Sequence, residues 1–193
     1  YSPRRELFRS LLDAGPPELS QGTAVWSFAE TSNGDIVLGT GDGAWSYDPE
    51  RESIRSLPLP AAAGPRDVTD LLAHSSGSMW AALYGYGLVE LVDAKPAAVH
   101  TAGDSARGLS SAKLLALAEA ADGSLFVGSA DAGLLRLDSQ SGDFAAVALP
   151  EGSWGPRLRI NDLLVTDGSR LFVAGESTDL LALDLRVGRT EVH

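Results

Sequence analysis

Short apolar stretches, each closed by a turn signal, run through this chain, and one arrangement of them occurs four times. From Val25 the chain reads VWSFAETSNGDIVLGTGDGAWSYD, and from Val68 VTDLLAHSSGSMWAALYGYGLVELVD. From Leu114 it reads LLALAEAADGSLFVGSADAGLLRLD, and from Ile160 INDLLVTDGSRLFVAGESTDLLALD. The starting residues lie 43, 46 and 46 positions apart. Self-similarity at such a period marks a repeat architecture and changes how every local segment is read.

In each copy a first apolar stretch (25–29, 68–72, 114–118, 160–164) runs into Asn33-Gly34, Ser76-Gly77, Asp122-Gly123 or Asp167-Gly168. Glycine supplies a positive φ there and Asn or Asp tolerates the turn, which is hairpin chemistry. A second apolar stretch follows at once (36–38, 79–82, 125–127, 171–174), then a loop of small residues and a third strand (44–47, 88–91, 134–137, 180–183). A fourth strand closes each copy at 54–57, 97–100, 144–147 and 190–193. Four short antiparallel strands per repeat, with no helix between them, describe the blade of a β-propeller. The spacing predicts an all-β fold, a partial propeller of about four blades, spanning 22–60, 66–102, 108–150 and 157–193.

Two segments carry helix-like sequence. KLLALAEAA (113–121) has high helix propensity and RRELFRSLL (4–12) has apolar residues at helical spacing. Both are read as strands. The first lies in register with Val, Thr and Ile in the other copies. The second belongs to a segment from Tyr1 to Leu11 that matches Tyr47 to Leu57. Residues 1–15 therefore form an orphan outer strand, and the simplest reading is an arc cut from a larger propeller. A closed four-blade ring and an assembly of two arcs are the alternatives.

The order V-x-x-L, then D/N-G, then L-F-V-G-S or I-V-L-G-T, then G-L-x-x-L-D resembles the two-component regulator propeller repeat. The third copy carries it most fully: Gly108-Leu109-Ser110-Ser111 precedes Leu114, Asp122-Gly123 leads to Gly128-Ser129, and Gly133 leads to Asp138, Gly142 and Phe144. The first copy has Gly39-Thr40 and Tyr47-Asp48-Pro49, whereas Ala82 and Ala174 replace the glycine in the second and fourth. WD-repeat and kelch signatures are absent. The resemblance implies a periplasmic or extracytoplasmic input domain of a bacterial histidine kinase or diguanylate cyclase, often sensing saccharides. Its membrane segment would lie outside this chain. The repeat motif is scaffold, so it assigns no ligand-binding residue.

An antiparallel meander places the loop entering each blade beside the loop between its second and third strands. Those loops carry Tyr84, Tyr86, Arg107, Asp131, Trp154, Arg157 and Arg159, the candidate ligand-binding residues. Aromatic rings beside hydrogen-bonding side chains suit a small molecule such as a saccharide. Trp26, Trp45 and Trp80 fall on strands and are assigned to the core.

Charge and composition narrow the partners. With 26 acidic and 15 basic residues the net charge is −11, which repels phosphate backbones and argues against nucleic acid. The absence of cysteine removes thiolate metal sites and Cys nucleophiles. His74, His100 and His193 are scattered, so no metal site, cofactor or catalytic constellation is assigned. Asp48, Asp93, Asp138 and Asp184 recur once per copy and read as turn formers. The sequence favours a sensing module whose partners are a small molecule and either a second copy or the remaining blades of its parent. A small propeller lyase and a passive dimerisation scaffold are the alternatives.

Overall fold

The computed structural model describes residues 23–64, 67–103, 108–149, 157–166, 169–176, 180–186 and 189–192. The orphan segment 1–15 lies outside them. Among the described residues sixteen strands form four antiparallel sheets of four, each in simple meander order. Blade 1 comprises β1 (Val25–Glu30), β2 (Ile36–Thr40), β3 (Gly43–Asp48) and β4 (Ser53–Ser56). Blade 2 comprises β5 (Val68–Ala73), β6 (Met79–Leu83), β7 (Gly87–Val92) and β8 (Lys95–Thr101). Blade 3 holds β9 (Leu114–Glu119), β10 (Leu125–Ser129), β11 (Leu134–Leu137) and β12 (Phe144–Ala146). Blade 4 holds β13 (Ile160–Thr166), β14 (Arg170–Gly175), β15 (Leu181–Asp184) and β16 (Arg189–Val192). The helix-prone stretch after Lys113 is the strand β9, so burial between two blades overrides intrinsic propensity.

The turns form as their sequences require. Gly34 and Gly77 have φ of 87° and 89°, in the left-handed region open to glycine. Asp48 Oδ1 accepts the N–H groups of Glu50 and Arg51, each at 2.9 Å. Asp138 Oδ1 does the same for Gln140 and Ser141, and Asp184 Oδ1 accepts the N–H of Arg186 at 2.9 Å. At these three positions the recurring aspartate is a turn former, because a short carboxylate can hold backbone N–H groups two and three residues on.

Stability comes from apolar layers between successive blades. Val37, Ala44 and Leu57 of blade 1 meet Leu71, Ala81 and Val89 of blade 2. Trp80 and Leu88 of blade 2 meet Leu117, Val127 and Leu135 of blade 3. Phe126 and Ala118 of blade 3 meet Ile160, Leu163 and Val173 of blade 4. Among the described residues each apolar layer is shared by two successive blades, as in repeat proteins.

The innermost strands make the closest of these contacts. A Cβ placed on Gly39 would come within 2.7 Å of Val68 O, and one on Gly128 within 2.6 Å of Ile160 Cγ2. Blades 1 and 3 therefore keep glycine at this position. Blades 2 and 4 carry Ala82 and Ala174 there instead. Glycine and alanine thus alternate at this position from blade to blade.

Candidate functional site

Each innermost strand is interrupted at one position. Register shifts occur between Val25 and Ser27, Val68 and Asp70, and Ile160 and Asp162; in blade 3 the shift lies between Leu114 and Ala116. The residues skipped are Trp26, Thr69, Leu115 and Asn161, one per blade at the same place in the repeat. A bulge leaves its extra residue out of the ladder and re-aims the side chain. All four line a single groove of about 310 Å³, together with Asp67, Tyr84 and Arg159.

The loops around the groove are held by one hydrogen bond repeated in every blade. The first residue of each inner loop donates its N–H to the carbonyl just ahead of the innermost strand. These pairs are Gly41 to Ala24 (3.1 Å), Tyr84 to Asp67 (2.9 Å), Ala130 to Lys113 (2.8 Å) and Glu176 to Arg159 (3.1 Å). The entering and inner loops are thus on one face, as the meander predicts. Side chains reinforce the pairing: Thr23 Oγ1 donates to Asp42 Oδ2 at 2.6 Å, and Ser111 Oγ to Asp131 Oδ1 at 2.6 Å. Lys113 Nζ lies 3.0 Å from Asp131 Oδ2.

The sequence-predicted residues divide accordingly. Tyr84 and Arg159 line the groove, and Arg159 Nε donates to Asn161 Oδ1 at 2.8 Å while facing Glu176 Oε1 at 3.7 Å. Tyr86 is half-buried and packs on the apolar layer between blades 1 and 2. Asp131 belongs to the adjoining rim. The hydroxyl of Ser111 and the ammonium of Lys113 hold its carboxyl below the usual carboxylate range, and the charge of exposed Arg157 adds to this. Arg107 and Trp154 lie outside the described residues, as does His193.

One assignment is overturned. Trp26 was placed in the core with the other strand tryptophans, but its side chain is 57% exposed in the groove, whereas Trp45 and Trp80 are buried. The cause is the bulge, which the apolar pattern of V-W-S-F conceals. A sequence signal did exist. The four copies hold Trp, Thr, Leu and Asn in this column, with no shared property, while the column before it is uniformly apolar (Val25, Val68, Leu114 and Ile160).

The histidines do other work. His74 Nδ1 lies 2.8 Å from Ser76 Oγ, and its Nε2 lies 3.1 Å from Gly123 O and 3.3 Å from Glu119 Oε1. It ties blade 2 to blade 3 at the opposite face. His100 stacks on Trp80 with ring centres 5.9 Å apart, and His74 meets the same indole edge-on at 6.5 Å. Among the described residues no group of three or more His, Cys, Asp or Glu is placed to hold a metal ion. A wider gap of about 720 Å³ opens on that face between blades 1 and 2, lined by first-turn residues of both blades (Thr31 and His74, Asp35 and Ser78), by Ser46, Arg55 and Asp93, and by the apolar layer.

This is an all-β arc of a propeller with a groove where its innermost strands converge. The extracellular domain of a proposed hybrid two-component system, BT3049, of B. thetaiotaomicron has the same fold, with a TM-score of 0.71 at 15% identity over 96% of this chain and 26% of that one. PorZ, a surface component of the type IX secretion system of Porphyromonas gingivalis, superimposes with a TM-score of 0.60 at 13% identity, over 86% of this chain and 26% of that one. The extracellular domain of BT4673, also from B. thetaiotaomicron, gives 0.53 at 18% identity over 89% and 28%. This chain spans about a quarter of the length of these proteins. No family model matches the sequence, and no curated protein is significantly similar to it.

Proposed function

We propose that this chain is part of an extracytoplasmic sensing domain of a bacterial signalling protein, and that it recognises its ligand in the groove of the innermost strands. The observation that carries the reading is the convergence of Trp26, Thr69, Leu115 and Asn161, the four bulged residues, with Tyr84, Asp67 and Arg159. Four independent copies of the repeat have each released one side chain from the sheet toward the same space. The extracellular two-component domains that share this fold support the sensing role and the compartment. No helix among the described residues is long and apolar enough to cross a membrane.

The lining favours a saccharide. An exposed indole offers a flat apolar face to a sugar ring, while Tyr84, Asn161, Asp67 and Arg159 offer donors and acceptors to its hydroxyls. Binding there would alter how two such domains pack and so reach an effector. The test is equilibrium binding to a panel of soluble oligosaccharides, followed by Trp26→Ala, Tyr84→Ala and Arg159→Ala. Each should weaken the best binder by about tenfold or more without unfolding the protein. Binding that survives all three substitutions would move the site elsewhere, and catalytic turnover lost on Asp131→Asn would replace sensing with enzymology.

A further inference from the structure

The layer between blades 1 and 2 is filled differently from the layer between blades 2 and 3. At the second boundary His74 reaches Gly123 O and Glu119 Oε1, and His100 stacks on the buried indole of Trp80. The strand registers give the equivalent positions at the first boundary. Thr31 stands for His74, since Gly34 and Gly77 donate their N–H groups to these two carbonyls in the same turn. Val37, opposite Ala29, stands for Trp80, opposite Leu72. Ala73, opposite Met79, stands for Glu119, opposite Leu125. The Thr31 hydroxyl turns back to Asp35 O at 2.9 Å rather than across to blade 2.

The gap of about 720 Å³ is the volume these exchanges leave, and it falls within the roughly 300–1,000 Å³ usual for small-molecule sites. Its floor consists of Val37 and Leu57 of blade 1 with Met79 and Leu91 of blade 2, which share one apolar layer. The gap therefore lies between two blades inside the arc, on faces that the blades turn toward each other.

One wall is charged. Asp35 Oδ2 accepts the hydroxyl of buried Ser46 at 3.2 Å and lies 3.3 Å from Arg55 Nη2. Both contacts are long and both use the same oxygen, whereas a carboxylate has room for about four donors. The Asp35 side chain is 14% exposed and that of Arg55 59%, so the carboxylate sits inside the gap and the arginine extends outward. Glu30 and Asp93 also line the gap, which leaves carboxylates in excess over the single arginine.

We propose that this gap is a second ligand site, distinct from the groove of the innermost strands, and that it takes a small organic amine. The ammonium donates to Asp35, and the apolar body lies on Val37, Met79 and Leu91. A charge-assisted hydrogen bond to a largely buried carboxylate orients the molecule, and burial of its apolar part supplies the remaining affinity. An anion of the same shape is repelled by Asp35, Glu30 and Asp93.

The test is calorimetric titration with phenethylamine, 2-phenylethanol and phenylacetate, which share a ring and differ in charge. Phenethylamine should bind at one site with a dissociation constant of about 1 mM or tighter, and the other two at least about tenfold more weakly. Asp35→Asn should weaken the amine by about tenfold or more. Val37→Trp, which fills the gap as Trp80 fills its counterpart, should abolish binding. Trp26→Ala, in the innermost groove, should leave it unchanged. Circular dichroism checks that each variant is folded, and Asp35→Asn alone decides the matter if Val37→Trp does not fold. The proposal is overturned if phenethylamine does not bind, if phenylacetate binds as tightly, if Asp35→Asn has no effect, or if Trp26→Ala removes binding.

Discussion

The carboxylate of Asp70 lies across a blade boundary, its Oδ2 2.7 Å from the backbone nitrogen of Leu117. Innermost strands are the edge strands of their sheets, with unpaired N–H groups that need partners when buried. Here a side chain from blade 2 supplies the partner to blade 3, so the ladder of the blade 3 sheet is continued sideways by a side chain.

That placement makes Asp70 sensitive to pH. Burial pushes its carboxyl up to about 6, and the Asp162 carboxylate adds to this, against the opposing pull of the Leu117 and Leu71 N–H groups. A carboxyl whose value is higher folded than unfolded binds its proton more tightly in the fold. Its stabilising contribution is complete below about pH 4 and is lost as pH rises through about 6. Asp70→Asn removes that titration. The stability of the native protein relative to this variant should therefore fall between about pH 4 and pH 7, by on the order of 3 kcal/mol. Urea unfolding at a series of pH values measures it; a difference independent of pH would refute it. Carboxyls held low by hydrogen bonds, such as Asp122, Asp131 and Asp138, are common to both proteins and cancel.

The tryptophans should separate under substitution. Trp80 is buried between blades 2 and 3, and Trp80→Ala should cost about 3–5 kcal/mol, the usual penalty for emptying a large core site. Trp26→Ala should change stability by less than about 0.5 kcal/mol, since the side chain is largely in solvent. Chemical denaturation of the two variants compares them directly.

Gly39→Ala and Gly128→Ala should each destabilise the protein by about 1–3 kcal/mol, because the added methyl meets the neighbouring innermost strand. Thermal unfolding reads the loss. An unchanged midpoint would mean that adjacent blades can slide apart at no cost.

Lys113 and Asp131 should matter little to folding. Both are about half exposed, and exposed ion pairs contribute roughly 0–1 kcal/mol. Asp131→Asn should leave the unfolding midpoint within about 0.5 kcal/mol of the native value. A larger loss, measured the same way, would assign this pair a structural role.

Much of the architecture was legible because it rests on short-range chemistry. Asp or Asn beside glycine sets the hairpins, and the recurrence of four copies settled β9 against its own helix propensity. Tyr84 and Arg159 could be placed on one face from the sequence because a meander fixes which loops are neighbours. Trp26 was missed because an apolar residue in an apolar strand reads as core, and a bulge is a matter of register that side-chain type does not report. Phe28 misleads in the opposite way. It occupies a column that is buried in every other blade, at Leu71, Leu117 and Leu163, yet it is exposed in blade 1.

The bulges have a consequence for how such a protein changes over time. A residue excluded from the ladder can be replaced without disturbing strand pairing or the layers between blades. The Trp, Thr, Leu and Asn at these four positions illustrate that latitude within one chain. The chemistry of the groove can therefore change by single substitutions at the bulges, while strand pairing stays as it is.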